Sequence, residues 1–398
     1  SYDDWLNQGM EAGVYTASGS RSTGDAIIRA HLAELAHEQD ADPWLPLFFR
    51  GLRRKRKAIK LIGDKLEPSR LLEPHLYDSE GYPLLMKGGG KWPVTAVWAD
   101  GVLRTSWKPG TGVGRLASGD PLNGQNWKYY LKSMLIAQPG HSLVGADYEQ
   151  FHLAIVANVW GIPRLLKVFA EDGDPHASMA AFAFGERFRQ ADGYAGDFVK
   201  PKKGTEAGRA RELAKPVQYG GLYGAEPETI HPIVQKMEDP QTGELIYLNI
   251  SLREIKKVVS DWRKAEPELE AGWAGEVALF EKLGYLEDRI LGRRNWFRDS
   301  ETQSVRNKLY NYRIIAEEAA VAGRATIDVY ETLQRVPWRT KHTGIVEQCH
   351  DSIVIQVPDE HAEWAKRMLE ETMTYRPAGD PVTYKAFADV GKKRSQVA

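Results

Sequence analysis

A chain of 398 residues can bury a sizeable core and divide it among two or three subdomains. Its 53 Lys and Arg against 54 Asp and Glu leave a net charge of -1, which excludes a uniformly basic nucleic-acid coat but not a local positive field. The single cysteine, Cys349, excludes an intramolecular disulfide and any cysteine-based zinc cluster, and no apolar run approaches the roughly 20 residues a membrane span needs. A soluble protein in a reducing, cytoplasmic setting, with no membrane partner, is expected.

Residues 22–37 open with Ser22-Thr-Gly-Asp25 and continue with helical apolar spacing, which predicts a capped amphipathic helix. The basic run Arg50-Gly-Leu-Arg53-Arg54-Lys55-Arg56-Lys57-Ala-Ile-Lys60 lies in a second helical pattern over 50–65. Such runs face solvent or neutralise phosphates. Residues 88–127 are rich in Gly, Pro and Trp, with short strand candidates such as Val102–Trp107. Ser142–Asp147 predicts a buried strand that feeds a helix near Tyr148. The long middle, about 162 to 335, is mainly helical, broken by polar loops near 186–208 and 237–250. Gly344–Val357 holds two β-rich halves with His350-Asp351 between them, as at a hairpin tip. A helix over 359–374 and a short strand Val382-Thr-Tyr384 follow. Strands on either side of a helical stretch predict an α+β sheet platform with a helical subdomain inserted.

The stretch Arg211-Glu-Leu-Ala-Lys215-Pro-Val-Gln-Tyr219-Gly-Gly-Leu-Tyr223-Gly224 is the most telling. Arg211, Lys215, Tyr219 and Tyr223 recur every four residues, so a helix would set two cations and two phenols along one slowly drifting face. A face turned to the core would carry Leu, Ile, Val or Phe instead. Cations suit a polyphosphate, and phenols beside glycine suit a sugar and base against backbone. A solvated helix with scattered basic residues is the plainer alternative. Asp147 ends a strand and Asp351 lies between two, positions where an N-cap and a turn residue are at home. Brought together on one sheet, they would instead hold a pair of Mg2+ ions, which lie about 3.5–4 Å apart in phosphoryl-transfer sites. The order of strand-Asp, cationic helix and hairpin-Asp favours that second role.

This order resembles the family A DNA polymerases, the group of bacterial DNA polymerase I and related phage enzymes. Asp147-Tyr-Glu-Gln-Phe-His-Leu resembles the family's Asp-Tyr-Ser-Gln-Ile-Glu-Leu. Arg211 through Gly224 is similar to Arg-x3-Lys-x3-Phe/Tyr-Gly-x2-Tyr-Gly, and Gln348-Cys-His350-Asp351-Ser352 to Gln-Val-His-Asp-Glu. Gly114-Arg115-Leu-Ala-Ser118-Gly-Asp120-Pro121, Arg50-Gly-Leu52, Gly173-Asp-Pro-His176 and Leu291-Gly-Arg293-Arg294 resemble further family segments in the family's order, over about residues 43 to 392. The resemblance implies a right-hand polymerase fold of class α+β, with an antiparallel-sheet palm, mainly helical fingers and a reduced helical thumb. The implied parts are thumb 1–75, palm 76–160 with the first metal Asp, fingers 161–300, and palm 301–398 with the second.

The implied activity is template-directed DNA synthesis, in which deoxynucleotides join a primer 3′-hydroxyl by two-metal-ion nucleotidyl transfer. Asp147, Asp351 and the Tyr148 backbone carbonyl would bind two Mg2+ ions, with Mn2+ able to substitute. Arg211 and His176 would hold the outer phosphates. Lys215 would neutralise the triphosphate and protonate the leaving pyrophosphate. Tyr219, Gln150 and His152 would surround the nucleotide, while Tyr223, beside Gly224, would stack by the templating position until a nucleotide displaces it. Arg115, Gln348 and His350 would touch the primer-terminal minor groove. Arg306 and Asn311 would guide the template, and Arg293 and Arg294 would contact phosphates or form a structural salt bridge. The implied partners are primer-template DNA, dNTPs and a processivity partner or upstream domain, in a bacterial cell or phage-infected host.

The chain departs from the family at several points. His152 stands where most members carry a Glu that blocks the ribose 2′-hydroxyl, and Ser352 stands where the DNA polymerases carry Glu. Single-subunit phage RNA polymerases, which are distant relatives, share His-Asp-Ser there, so a sugar-tolerant or RNA-synthesising polymerase is one alternative. A catalytically inactive nucleic-acid-binding remnant is another. Tyr219, where bacterial enzymes often carry Phe, implies acceptance of dideoxynucleotides. Pro216 lacks the amide its helix needs, so a kink or a new segment is expected there. Fewer than fifty residues precede Arg50 in this sequence, so a reduced thumb and no proofreading within this chain are expected.

Overall fold

Two short antiparallel pairs precede the main sheet: Met86–Lys87 (β1) with Trp92–Pro93 (β2), and Trp107–Lys108 (β3) with Ala117–Ser118 (β4). The expected strand over 102–107 shrinks to the start of β3 and a single bridge between Leu103 and Val97. This computed structural model describes residues 72–397 apart from 73, 81, 85, 88–91, 94, 110, 120–121, 128–131, 236, 238–249 and 298–302. The expected helices over 22–37 and 50–65, the Arg50-Gly-Leu segment and nearly all of the proposed thumb lie outside the described residues.

His141–Tyr148 (β5) has an apolar centre, Leu143–Ala146, and all its residues except Asp147 are buried. Such a strand suits a sheet interior. The helix after it starts at Phe151, because Gln150 takes a left-handed conformation with φ 52° between strand and helix. A helical stretch follows: Phe151–Trp160 (α1), Pro163–Ala170 (α2), Pro175–Phe184 (α3), Glu186–Arg189 (α4), Glu206–Leu222 (α5), Pro227–Gln235 (α6), Leu252–Ala265 (α7) and Pro267–Leu283 (α8). Side chains set its boundaries: Asp174 accepts from Ala177 N to cap α3, Thr205 accepts from Gly208 N to cap α5, and Ser251 with Glu254 forms a capping box for α7. Helix α5 runs unbroken through Pro216, so no new segment begins there. Leu213, Ala214, Val217 and Leu222 are all buried, and that packing outweighs the one missing N–H. A small hairpin, Leu286–Glu287 (β6) with Arg294–Asn295 (β7), interrupts the helical middle where none was expected.

The 33-residue helix Gln303–Arg335 (α9) returns the chain to the sheet, which is completed by Gly344–Cys349 (β8), Ser352–Pro358 (β9), Ala362–Met373 (α10) and Ala386–Gly391 (β10). The four-stranded sheet has the order β10-β5-β9-β8 and is antiparallel throughout. Helix α10 packs across β10 and β5. The α+β class expected from the sequence is what the chain adopts. Of the strand expected over 382–384 only a bridge between Tyr384 and Tyr375 forms, and the last strand begins at 386. Val382 donates its N–H to Asn158 Oδ1 and its carbonyl accepts from Asn158 Nδ2, both at 2.9 Å, which leaves neither for a strand neighbour.

Candidate active site

Two strand ends bring the acids together. In the β5–β9 register Asp147 pairs with Ser352, the residue after Asp351, and Tyr148 N donates to the Asp351 carbonyl at 3.3 Å. The β8–β9 turn that carries Asp351 needs a left-handed residue, and His350 supplies it at φ 55°. Asp147 opens onto a cleft but has protein on most sides, with Asp351 beside it. Desolvation, then repulsion from Asp351, pushes Asp147 up to about 8. Desolvation, then the charge of Glu318, raises Asp351 as well. Two close carboxylates at odds with their own charge, with the Tyr148 backbone beside them, form a donor set that fits hard divalent cations. Among the described residues no third His, Cys, Asp or Glu joins them in a metal-binding group.

Both acids line a cleft of about 640 Å³ together with Arg115, Tyr148, Gln150, His152, His176, Arg211, Lys215, Tyr219, Tyr223 and His350. Twelve of the residues singled out in the sequence thus meet in one place. The rest lie elsewhere. Gln348 is buried, and its Nε2 donates to the His350 carbonyl at 2.8 Å, bracing the turn. Gly224 ends α5 at φ 70°, where a side chain would strike the Tyr310 ring. Arg293 donates to the Val113 carbonyl at 3.1 Å. Arg294 bonds Glu287 at 2.6 Å and covers Tyr285. Arg306 is exposed on α9, and the Asn311 Oδ1 is buried without a protein partner.

The cations of α5 are already engaged. Arg211 is buried and donates to Asp174 through Nε at 3.0 Å and Nη2 at 2.6 Å, and to Glu212 through Nη1 at 3.0 Å. Lys215, half-buried, donates to Glu212 at 2.8 Å. His176 lies under this helix with Nδ1 2.8 Å from Gln218 Oε1 and Nε2 3.4 Å from the Tyr219 hydroxyl. Burial, then the charge of Arg211, lowers His176 to about 4, so the ring is neutral at pH 7 and brings no charge to a phosphate. Burial also raises the Tyr219 and Tyr223 phenols.

Sequence reasoning missed Asp174, Glu212 and Gln218 as partners of these groups, and it missed Glu318. The last sits on α9 facing the cleft, almost fully buried, and accepts from Arg115 and His152. Burial alone would raise its carboxyl, but the His152 and Arg115 bonds outweigh burial and hold it below the usual range. A signal was present: Glu317-Glu318 stands inside the apolar run Ile314-Ile-Ala-Glu-Glu-Ala-Ala-Val321, and acids are rarely buried unless paired.

Comparison with known proteins agrees with this architecture. The model of DNA polymerase family A matches residues 93–394, and the chain belongs to that family. It is 29% identical over 273 residues to the thermostable DNA polymerase I of Thermus filiformis, covering 66% of this chain and 29% of that protein. It is 26% identical over 301 residues to the chloroplastic/mitochondrial DNA polymerase I A of Arabidopsis thaliana, covering 69% of this chain and 26% of that one. The chain therefore spans under a third of the length of these curated relatives. The fold is also that of the polymerase domain of Pol1 from M. smegmatis, solved in complex with DNA primer-template and dNTP. The two superpose with a TM-score of 0.71 at 19% identity, covering 97% of this chain and 58% of that one. Among the described residues no helix is long and apolar enough to cross a membrane.

Proposed function

We propose that the chain is a template-directed DNA polymerase that joins deoxynucleotides to a primer 3′-hydroxyl. One observation carries this reading: the paired acids of β5 and the β8–β9 turn share a cleft with the cationic face of α5, inside the segment that defines the family. In this reading β5, β8, β9 and β10 form the palm, α2 to α8 the fingers, and primer-template DNA and dNTPs are the partners.

Asp147, Asp351 and the Tyr148 carbonyl would hold two Mg2+ ions. When bound, these ions supply charge neutralisation for the attacking and leaving oxygens of phosphoryl transfer. The chain's own groups do the rest. Lys215 moves from Glu212 to the triphosphate, and its ammonium gives a proton to the departing pyrophosphate. Arg211, anchored on Asp174, keeps α5 in register with the cleft so that Lys215 and Tyr219 point into it. Tyr219 packs against the sugar, and Tyr223 yields its place beside His152 when the nucleotide enters. Arg115 and His350 meet the primer terminus from the opposite side.

Primer extension on a labelled primer-template should disappear in Asp147→Ala and in Asp351→Ala, while each variant still binds the DNA. Retained extension in either variant overturns the reading, and an inactive wild-type chain that binds DNA would favour the remnant alternative. His152 and Ser352 favour a second reading, a sugar-tolerant polymerase, which parallel extension with dNTPs and rNTPs distinguishes.

A further inference from the structure

One hydrogen-bond chain in the cleft is not used by the phosphate and metal chemistry. Glu318, its side chain 1% exposed, accepts through Oε2 from both Arg115 Nη2 and His152 Nε2. The other ring nitrogen of His152, Nδ1, lies 2.6 Å from the Tyr223 hydroxyl. In the tautomer that gives Nε2–H to the carboxylate, Nδ1 is a bare acceptor placed to take the Tyr223 O–H. The imidazole lies between the two phenols of α5, its centroid 6.2 Å from that of Tyr219 and 6.0 Å from that of Tyr223.

We propose that Glu318 fixes His152 as a hydrogen-bond acceptor for a hydroxyl of the incoming nucleotide's sugar, and that the Tyr223 hydroxyl occupies this acceptor until the nucleotide arrives. The inference rests on the polymerase reading above. Helix geometry places the sugar: a nucleotide whose phosphates meet Lys215 has its sugar one to two turns further on, about 6–12 Å along α5, where Tyr219 and Tyr223 flank His152. A ligand that displaces Tyr223 without offering an O–H leaves a desolvated acceptor unpaired, and one that offers it restores the bond. Glu318 is a positioning residue. Arg115 Nη2 also lies 3.1 Å from His152 Nε2, so the carboxylate is what holds a guanidinium and an imidazole N–H side by side and decides which ring nitrogen carries the proton.

The test is single-nucleotide insertion by the full chain on a primer-template with dideoxy-, deoxy- and ribonucleoside triphosphates of one base. Wild type is compared with His152→Phe, His152→Gln and Glu318→Gln. His152→Phe fills the volume without an acceptor. It should lose about three- to tenfold in kcat/KM, mainly through KM, for the nucleotide carrying the recognised hydroxyl relative to the one lacking it. His152→Gln keeps an amide acceptor and should preserve the ratio. Glu318→Gln should move the ratio in the same direction as His152→Phe. If His152→Phe and Glu318→Gln slow all three nucleotides by one common factor, Glu318 is merely structural and the inference is overturned. If the wild type inserts none of the three, the polymerase reading falls and takes this inference with it.

Discussion

Asp174 and Arg211 form a buried pair with Asp174 also capping α3, so one carboxylate serves a helix end and a cation at once. Removing one partner of such a pair leaves the other charge stranded, and Asp174→Asn is expected to destabilise the chain by about 3–5 kcal/mol in denaturant unfolding. The pH dependence has a definite sign. Burial alone would raise the Asp174 carboxyl, but the Arg211 bonds outweigh it and hold it low. Its stabilisation is therefore complete above the unfolded value of about 4 and is lost as pH falls through the lower folded value. The stability gap between wild type and Asp174→Asn should be constant from pH 5 to 7 and close below about pH 4. A gap that widened on acidification would contradict the pairing. Periodicity made Arg211 legible as a residue with a task, but not its partner, which lies 37 residues away at the cap of another helix.

Helix α5 depends on close packing as much as on its charged face. A methyl added at Gly221 would lie 2.3 Å from the Trp262 ring of α7, so Gly221→Ala should destabilise by about 1–3 kcal/mol through overpacking, read from the midpoint of thermal or denaturant unfolding. The β8–β9 turn makes a different demand. With His350 at φ 55°, His350→Val should lose about 1–2 kcal/mol, whereas His350→Asn should leave stability nearly unchanged. Both hairpin strands and the helix at 359–374 were readable because β-rich runs and helical apolar spacing are local signals. The strand expected at 382–384 is reduced to one bridge at Tyr384, since the Asn158 amide that claims Val382 comes from α1. The β6–β7 hairpin escaped notice because its two-residue strands carry too little pattern to register.

At the scale of the molecule, the sheet order β10-β5-β9-β8 makes neighbours of Asp147 and Asp351, which the chain separates by the whole helical stretch. The two acids were legible as a pair only through the order of motifs, and Glu318 not at all, because which face of a long alanine-rich helix meets the cleft is settled by tertiary packing. If the acids bind divalent ions only in the folded state, Mg2+ should raise the unfolding midpoint of the wild type and leave Asp147→Asn/Asp351→Asn unmoved. Equal shifts in both would refute the site. The cleft's own charge has a further consequence. Asp147, Glu149, Glu318 and Asp351 face Arg115, Lys200, Arg211 and Lys215 across it, four acids against four bases. Because burial and crowding favour the protonated forms of Asp147 and Asp351, a divalent cation that takes their oxygens would have to expel protons as it enters. Metal entry and proton release would then be two faces of one event, and the ion's hold on the cleft would tighten as pH rises.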